Sequence, residues 1–156
     1  MNITTKISTV ALTAAILATG AQAGFNLFDD GTGTAQVAAE GSTVYILKDS
    51  GNVWQHRYGQ FNRIDDGSGT KQIEPGYNKL FVLKQSGNIW KRENQRWEQI
   101  DNGSGTRMVS ADGNRMYVLK DSGQIWRYRY GDFKLIDDGR GTKQVHAAGS
   151  TLWILK

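Results

Sequence analysis

The segment Phe61-Asn62-Arg63-Ile64-Asp65-Asp66-Gly67-Ser68-Gly69-Thr70 decides the fold, because it returns as Phe25 to Thr34, Trp97 to Thr106 and Phe133 to Thr142 without a gap. The spacing is 36 residues each time, and it carries Gly31, Gly67, Gly103 and Gly139 in register. Leu47, Leu83, Leu119 and Leu155 keep the same interval, as do Trp54, Trp90 and Trp126. Self-similarity at a fixed period of this size marks a repeat architecture and outranks any local motif.

Within a copy the apolar pattern has the period of strands. Phe61 to Ile64, Lys71 to Ile73, Leu80 to Lys84 and Asn88 to Arg92 are four short runs, separated by Asp65 to Thr70, Pro75-Gly76-Tyr77-Asn78 and Gln85-Ser86-Gly87. The last of these, with Asp49-Ser50-Gly51 and Asp121-Ser122-Gly123, puts glycine where a tight hairpin needs positive φ. Nothing shows an apolar stripe at helical spacing, so helical and leucine-rich solenoids are disfavoured. Four strands per repeat predict an all-β fold, a β-propeller of 36-residue blades. Runs such as Val44-Tyr45-Ile46-Leu47, which do not alternate, suit strands covered on both faces.

Outward from the repeats, composition limits the chemistry. The 156 residues carry Lys+Arg 19 against Asp+Glu 15, a net charge of +4, with 16 aromatics (Trp 5, Tyr 6, Phe 5). Cysteine is absent, so disulfides, thiolate nucleophiles and cysteine-based zinc sites are excluded, and burial alone must stabilise the domain. Residues 1–23 read as a signal peptide: Lys6 before an apolar stretch from Thr9 to Ala18, then Ala21-Gln22-Ala23. That stretch is about half of the roughly 20 residues a membrane span requires. Export to the periplasm or beyond is expected. Residues 24–156 then form one propeller domain with repeats 25–60, 61–96, 97–132 and 133–156.

The order Trp97-x-x-Ile100, Gly103, Met108-Val109, Gly113, Met116-Tyr117-Val118, Gly123, Ile125-Trp126 resembles the repeat of tectonins and tachylectin-like lectin propellers. The resemblance implies that the segment around Val109 is an innermost strand and that the Trp97 segment is the outermost strand of the preceding blade. It also implies carbohydrate as ligand. The fourth copy stops after Leu152 to Lys156, so a closed four-bladed ring is expected in which Phe25 to Phe28 completes the last blade. The alternative is that chains share the gap as a homo-oligomer, since an unpaired Thr151 to Lys156 would be an aggregation hazard.

No residue set points to catalysis. His56 aligns with Arg92 and Tyr128, and His146 with Ala38, Glu74 and Ser110; neither accompanies a nucleophile motif. Asp29, Asp65, Asp101 and Asp137 recur once per blade, followed by Asp30, Asp66, Asn102 and Asp138. Such symmetry suits turn capping better than the two unequal carboxyls of a glycosidase. The Asp-Asp-Gly-x-Gly-Thr pattern lacks the alternate ligands of a calcium loop, so no metal and no cofactor are expected. Lysines and arginines are scattered among acids, which disfavours nucleic acid. The sequence therefore predicts a lectin-like, non-enzymatic propeller with weak repeated sites at blade junctions. Trp54, Trp90 and Trp126 would stack on sugar, and Asp30, Asp66, Asn102 and Asp138 would accept hydrogen bonds. Candidate ligands are a cell-surface glycan or lipopolysaccharide. The competing expectation is a scaffold binding a protein partner through one face, marked by the divergent Lys91 to Arg96.

Overall fold

The computed structural model describes residues 29–66 and 69–156. The expected signal peptide and the expected closing strand Phe25 to Phe28 lie outside these described residues. The rest forms fourteen strands. The first blade is β1 (Thr34–Glu40), β2 (Thr43–Lys48), β3 (Val53–Arg57) and β4 (Gln60–Asp65). The second is β5 (Thr70–Gly76), β6 (Lys79–Lys84), β7 (Ile89–Glu93) and β8 (Arg96–Asp101), and the third β9 (Thr106–Asp112), β10 (Arg115–Lys120), β11 (Ile125–Arg129) and β12 (Asp132–Asp137). A two-stranded sheet of β13 (Gln144–Ala148) and β14 (Thr151–Leu155) begins a fourth. Each four-stranded sheet is an antiparallel meander in chain order, as a β-propeller blade should be.

The first strand of every blade is innermost: β1 packs on β5, β5 on β9 and β9 on β13. Val109 thus sits on an inner strand, and Trp97 on the outermost strand of the second blade. Each junction between blades has its own apolar core. Tyr45, Leu47 and Val53 of the first blade meet Ile73, Leu80 and Val82 of the second. Phe81, Leu83 and Ile89 meet Val109, Met116 and Val118 of the third, and Tyr117, Leu119 and Ile125 meet Val145 and Ala147. Burying each such side chain contributes about 1.5–3 kcal/mol, so the junctions supply the stability that disulfides do not. Both faces of β6 and β10 are covered, which is why their sequences run apolar without alternation.

Polar groups lock the register between inner strands. The Gln36 side chain donates Nε2 to the Ile73 carbonyl at 2.7 Å and accepts the Ile73 amide at 2.9 Å. Gln72 repeats the clasp on Val109, at 2.8 Å and 3.1 Å. At the third junction methionine stands at position 108, and the Ser110 hydroxyl instead accepts the Ala147 amide at 2.9 Å.

Glycine is demanded most sharply where turns of adjoining segments touch. Gly87 and Gly103 have φ of 87° and 75°, and a Cβ on either would run into the backbone of the other. Gly123 and Gly139 repeat that crowding. Gly113 also has positive φ, 57°, but open space around it. Gly113→Ala should therefore cost about 1–2 kcal/mol from backbone strain alone. Gly103→Ala should cost clearly more, because backbone atoms must also part. Urea unfolding of the two variants checks the difference; equal losses would show that the crowding is relieved without cost.

Candidate functional site

Two clefts at successive blade junctions are built from the same repeat positions. The first, about 510 Å³, is lined by Asp65, Gly69, Lys84, Ser86, Asn88, Trp90 and Trp97. The second, about 620 Å³, is lined by Gln99, Ile100, Asp101, Asn102, Lys120, Trp126 and Phe133. Asp65 and Asp101, Lys84 and Lys120, Trp90 and Trp126, and Trp97 and Phe133 are each one repeat apart.

A β-bulge prepares each tryptophan. The ladder from the third to the fourth strand slips between Val53 and Trp54, between Ile89 and Trp90, and between Ile125 and Trp126. The partner strand accordingly carries one extra residue, Ile64, Ile100 or Ile136, and such a bulge re-aims the side chains beside it. It also leaves the Ile64 carbonyl to accept the indole Nε1–H of Trp97 across the blade junction at 3.2 Å. Trp90 and Trp126 are half-buried, packed on one side against the junction cores and lining the clefts on the other. Packing and cleft wall are therefore served by one ring. Trp54 occupies the same place in the first blade and stacks on Phe61, with centroids 5.0 Å apart and planes 12° from parallel.

An ion pair with a shared hydroxyl joins the two blades at each of these clefts. Lys84 donates to Asp65 Oδ2 at 2.6 Å and to Thr70 Oγ1 at 2.9 Å. Lys120 does the same with Asp101 at 2.8 Å and Thr106 at 2.9 Å. In the fourth copy Lys156 stands 3.7 Å from Asp137 Oδ2, and the buried Thr142 hydroxyl has no partner among the described residues. Asp101 and Asp137 also use their second oxygens to accept the Gly103 and Gly139 amides, at 3.0 Å and 2.8 Å, which is the turn capping expected of these acids.

Of the residues anticipated as ligands, Trp90, Trp126 and Asn102 line clefts. Asp30, Asp66 and Asp138 are exposed, and Asp66 and Asp138 lie one residue beyond Asp65 and Asp137, which pair with Lys84 and Lys156. The sequence reading passed over Lys84, Lys120, Trp97 and Phe133. Their signal was present: position 48, 84, 120 and 156 is lysine in every copy, and 34, 70, 106 and 142 is threonine. His56 is half-buried on β3, and His146 is exposed on β13. Among the described residues no three His, Asp or Glu side chains are grouped to hold a metal ion.

A further concavity of about 330 Å³ lies along the inner strands, with Glu40, Glu74 and Asp112 in its wall. Burial pushes the Glu74 carboxyl above its usual range, against the hydrogen bond from Gln72 that favours its charged form. Burial raises Glu40 in the same direction.

No family model and no curated protein sequence matches the chain. Solved structures do match its fold. Human WBSCR16 superposes with a TM-score of 0.67 at 11% identity, over 78% of this chain and 44% of that one. BamB from Moraxella catarrhalis gives 0.58 at 12% identity, covering 76% and 39%. Ycf48, solved with D1 peptide bound, gives 0.55 at 11%, covering 78% and 46%. These are β-propellers, and so is this chain. It spans less than half the length of each.

Two measurements test the site and its surroundings. Lys120 and Asp101 keep only 20% and 19% of their side-chain surface exposed, so a Lys120→Met, Asp101→Asn double-mutant cycle should return about 1–2 kcal/mol of coupling in urea, between exposed and fully buried pairs. Coupling within error of zero would reduce the pair to a surface contact. The second concerns Glu74: its raised folded pKa means the native state holds the proton more tightly than the unfolded chain, whose carboxyl titrates near 4.5. Stability from this group is present below that pH and lost as pH rises through the folded pKa. Glu74→Gln should flatten that decline in a pH series of melting temperatures; an unaltered slope would contradict it.

Proposed function

We propose that the chain is an exported, non-enzymatic, carbohydrate-binding propeller whose sites are the clefts between blades. The observation that carries this reading is the recurrence of one amphipathic cleft at consecutive junctions, with an aromatic wall and a fixed ammonium in each. The half-buried indoles of Trp90 and Trp126 offer apolar edges to the C–H face of a sugar, with Trp97 or Phe133 in the same lining. Polar groups fix hydroxyls: Ser86 and Asn88 in the first cleft, Gln99 and Asn102 in the second. An ammonium has three protons. Lys84 and Lys120 each spend two on the Asp and Thr of the junction, leaving one for a ligand hydroxyl or an anionic substituent. Because those partners hold the lysine in place before any ligand arrives, little side-chain entropy remains to be lost on binding. A single open cleft binds weakly, and several on one arc multiply the apparent affinity for a repetitive glycan surface such as lipopolysaccharide.

The rival is a scaffold for a protein partner. It draws on Lys91 to Arg96, where Lys91 pairs with Glu98 at 2.8 Å and Glu93 at 3.4 Å, and Lys79 with Glu93 at 3.1 Å. The hydrogen bond that Lys91 donates to Glu98 holds its ammonium well above the usual lysine range. These charges satisfy one another within the sheet, which favours a structural use of the divergence.

The experiment is a glycan array followed by titration of a hit. Trp90→Ala with Trp126→Ala should lower the apparent affinity at least about tenfold while circular dichroism stays native. No hit on an array that includes lipopolysaccharide cores, or a hit indifferent to both tryptophans, would remove the proposal. A stoichiometric protein captured in the presence of excess sugar would favour the scaffold.

A further inference from the structure

The arc of described blades ends in two half-junctions that match each other. Val37, on β1, is 59% exposed, whereas its equivalents Ile73, Val109 and Val145 are 0%, 0% and 1% exposed between blades. At the other end Trp153 and Leu155 of β14 are 64% and 57% exposed. Their equivalents Tyr45, Phe81 and Tyr117 are at most 7% exposed, and Leu47, Leu83 and Leu119 at most 2%. In every interior junction the side chains standing at the Tyr45 and Leu47 positions of one blade cover the residue at the Ile73 position of the next. Among the described residues, nothing covers the first blade on this face and nothing stands where the fourth blade would cover a neighbour.

The polar clasp obeys the same rule. Gln36 grips the backbone of residue 73 and Gln72 that of residue 109, in both cases 37 positions onward. Gln144 is the next glutamine at this repeat position, and it is exposed, on the rim of a groove of about 260 Å³ shared with Val145, His146, Trp153, Ile154 and Leu155. By the 36-residue period, the backbone it would grip is that of Val37 in another first blade.

We infer that this groove receives β1 of a second copy of the chain, Gln144 of each clasping the Val37 backbone of the other, so that two arcs close into one propeller. Length fits this count. The chain matches 44% of WBSCR16 and 46% of Ycf48, so two copies carry nearly the length of either propeller. A ring in which each copy offers one face to its partner and receives the other face closes after two copies and leaves no end to propagate as a filament. The inference is independent of whether the clefts bind sugar.

Sedimentation equilibrium and native mass spectrometry on the full chain, at about 1–100 µM to span the usual dimer affinities, provide the test. A two-copy mass is expected, with Val37→Glu and Trp153→Glu each shifting the chain to monomer without loss of its β-sheet circular dichroism. The absence of cysteine permits a second readout that needs no destabilising change. Mixed Val37→Cys and Gln144→Cys chains should join through a short thiol crosslinker far faster than either variant alone. A monomer at every concentration, as closure within one chain would give, overturns the inference; so does a trimer or larger ring, or a dimer indifferent to Val37 and Trp153.

Discussion

The burial of Ile73, Val109 and Val145 between successive sheets is the constraint the rest of the structure obeys, because a blade apolar on both faces has no stable existence alone. Each of these residues needs a preceding blade to cover it, and that blade needs the next to hide its own Tyr45- or Leu47-type side chains. The chain meets the requirement by repetition. Stability then accumulates junction by junction, as in other quasi-one-dimensional repeats, and order is propagated from neighbour to neighbour rather than from one central core.

The candidate sites inherit their placement from that requirement. A cleft forms at the outer margin of a junction, where the bulge before Trp90 or Trp126 widens the sheet and the Lys-Asp-Thr group ties two blades together. The surface of each cleft is thus made of groups that also hold blades in register. Such a cleft is rigid by construction, and changes to it are felt in stability.

The period of 36, the four strands per copy and the glycine turns were all legible in the residues, because backbone propensity and apolar pattern are local properties repeated often enough to average out exceptions. The site was only partly legible. Tryptophan announces itself at any exposure, so Trp90 and Trp126, which line the clefts, stood out in the repeat. Which acid pairs across the junction was not legible, since nothing in Asp65-Asp66 or Asp101-Asn102 says which side chain turns inward. That choice is made by Lys84 and Lys120, 19 positions away in sequence and adjacent only after the sheets pack. The bulges were hidden for the same reason: Ile64 and Ile100 look like ordinary strand residues until the ladder is drawn.

The mutual contact of Gly87 with Gly103, and of Gly123 with Gly139, bears on how such a chain can change over generations. One glycine of each pair lies in a hairpin within a blade and the other in the link to the next blade, so neither can acquire a side chain unless the other segment yields. A whole repeat copied in tandem brings both halves of the contact with it and fits its neighbour at once. Blade number is therefore easier to alter by duplication or loss of entire units than this turn is to alter by single replacements.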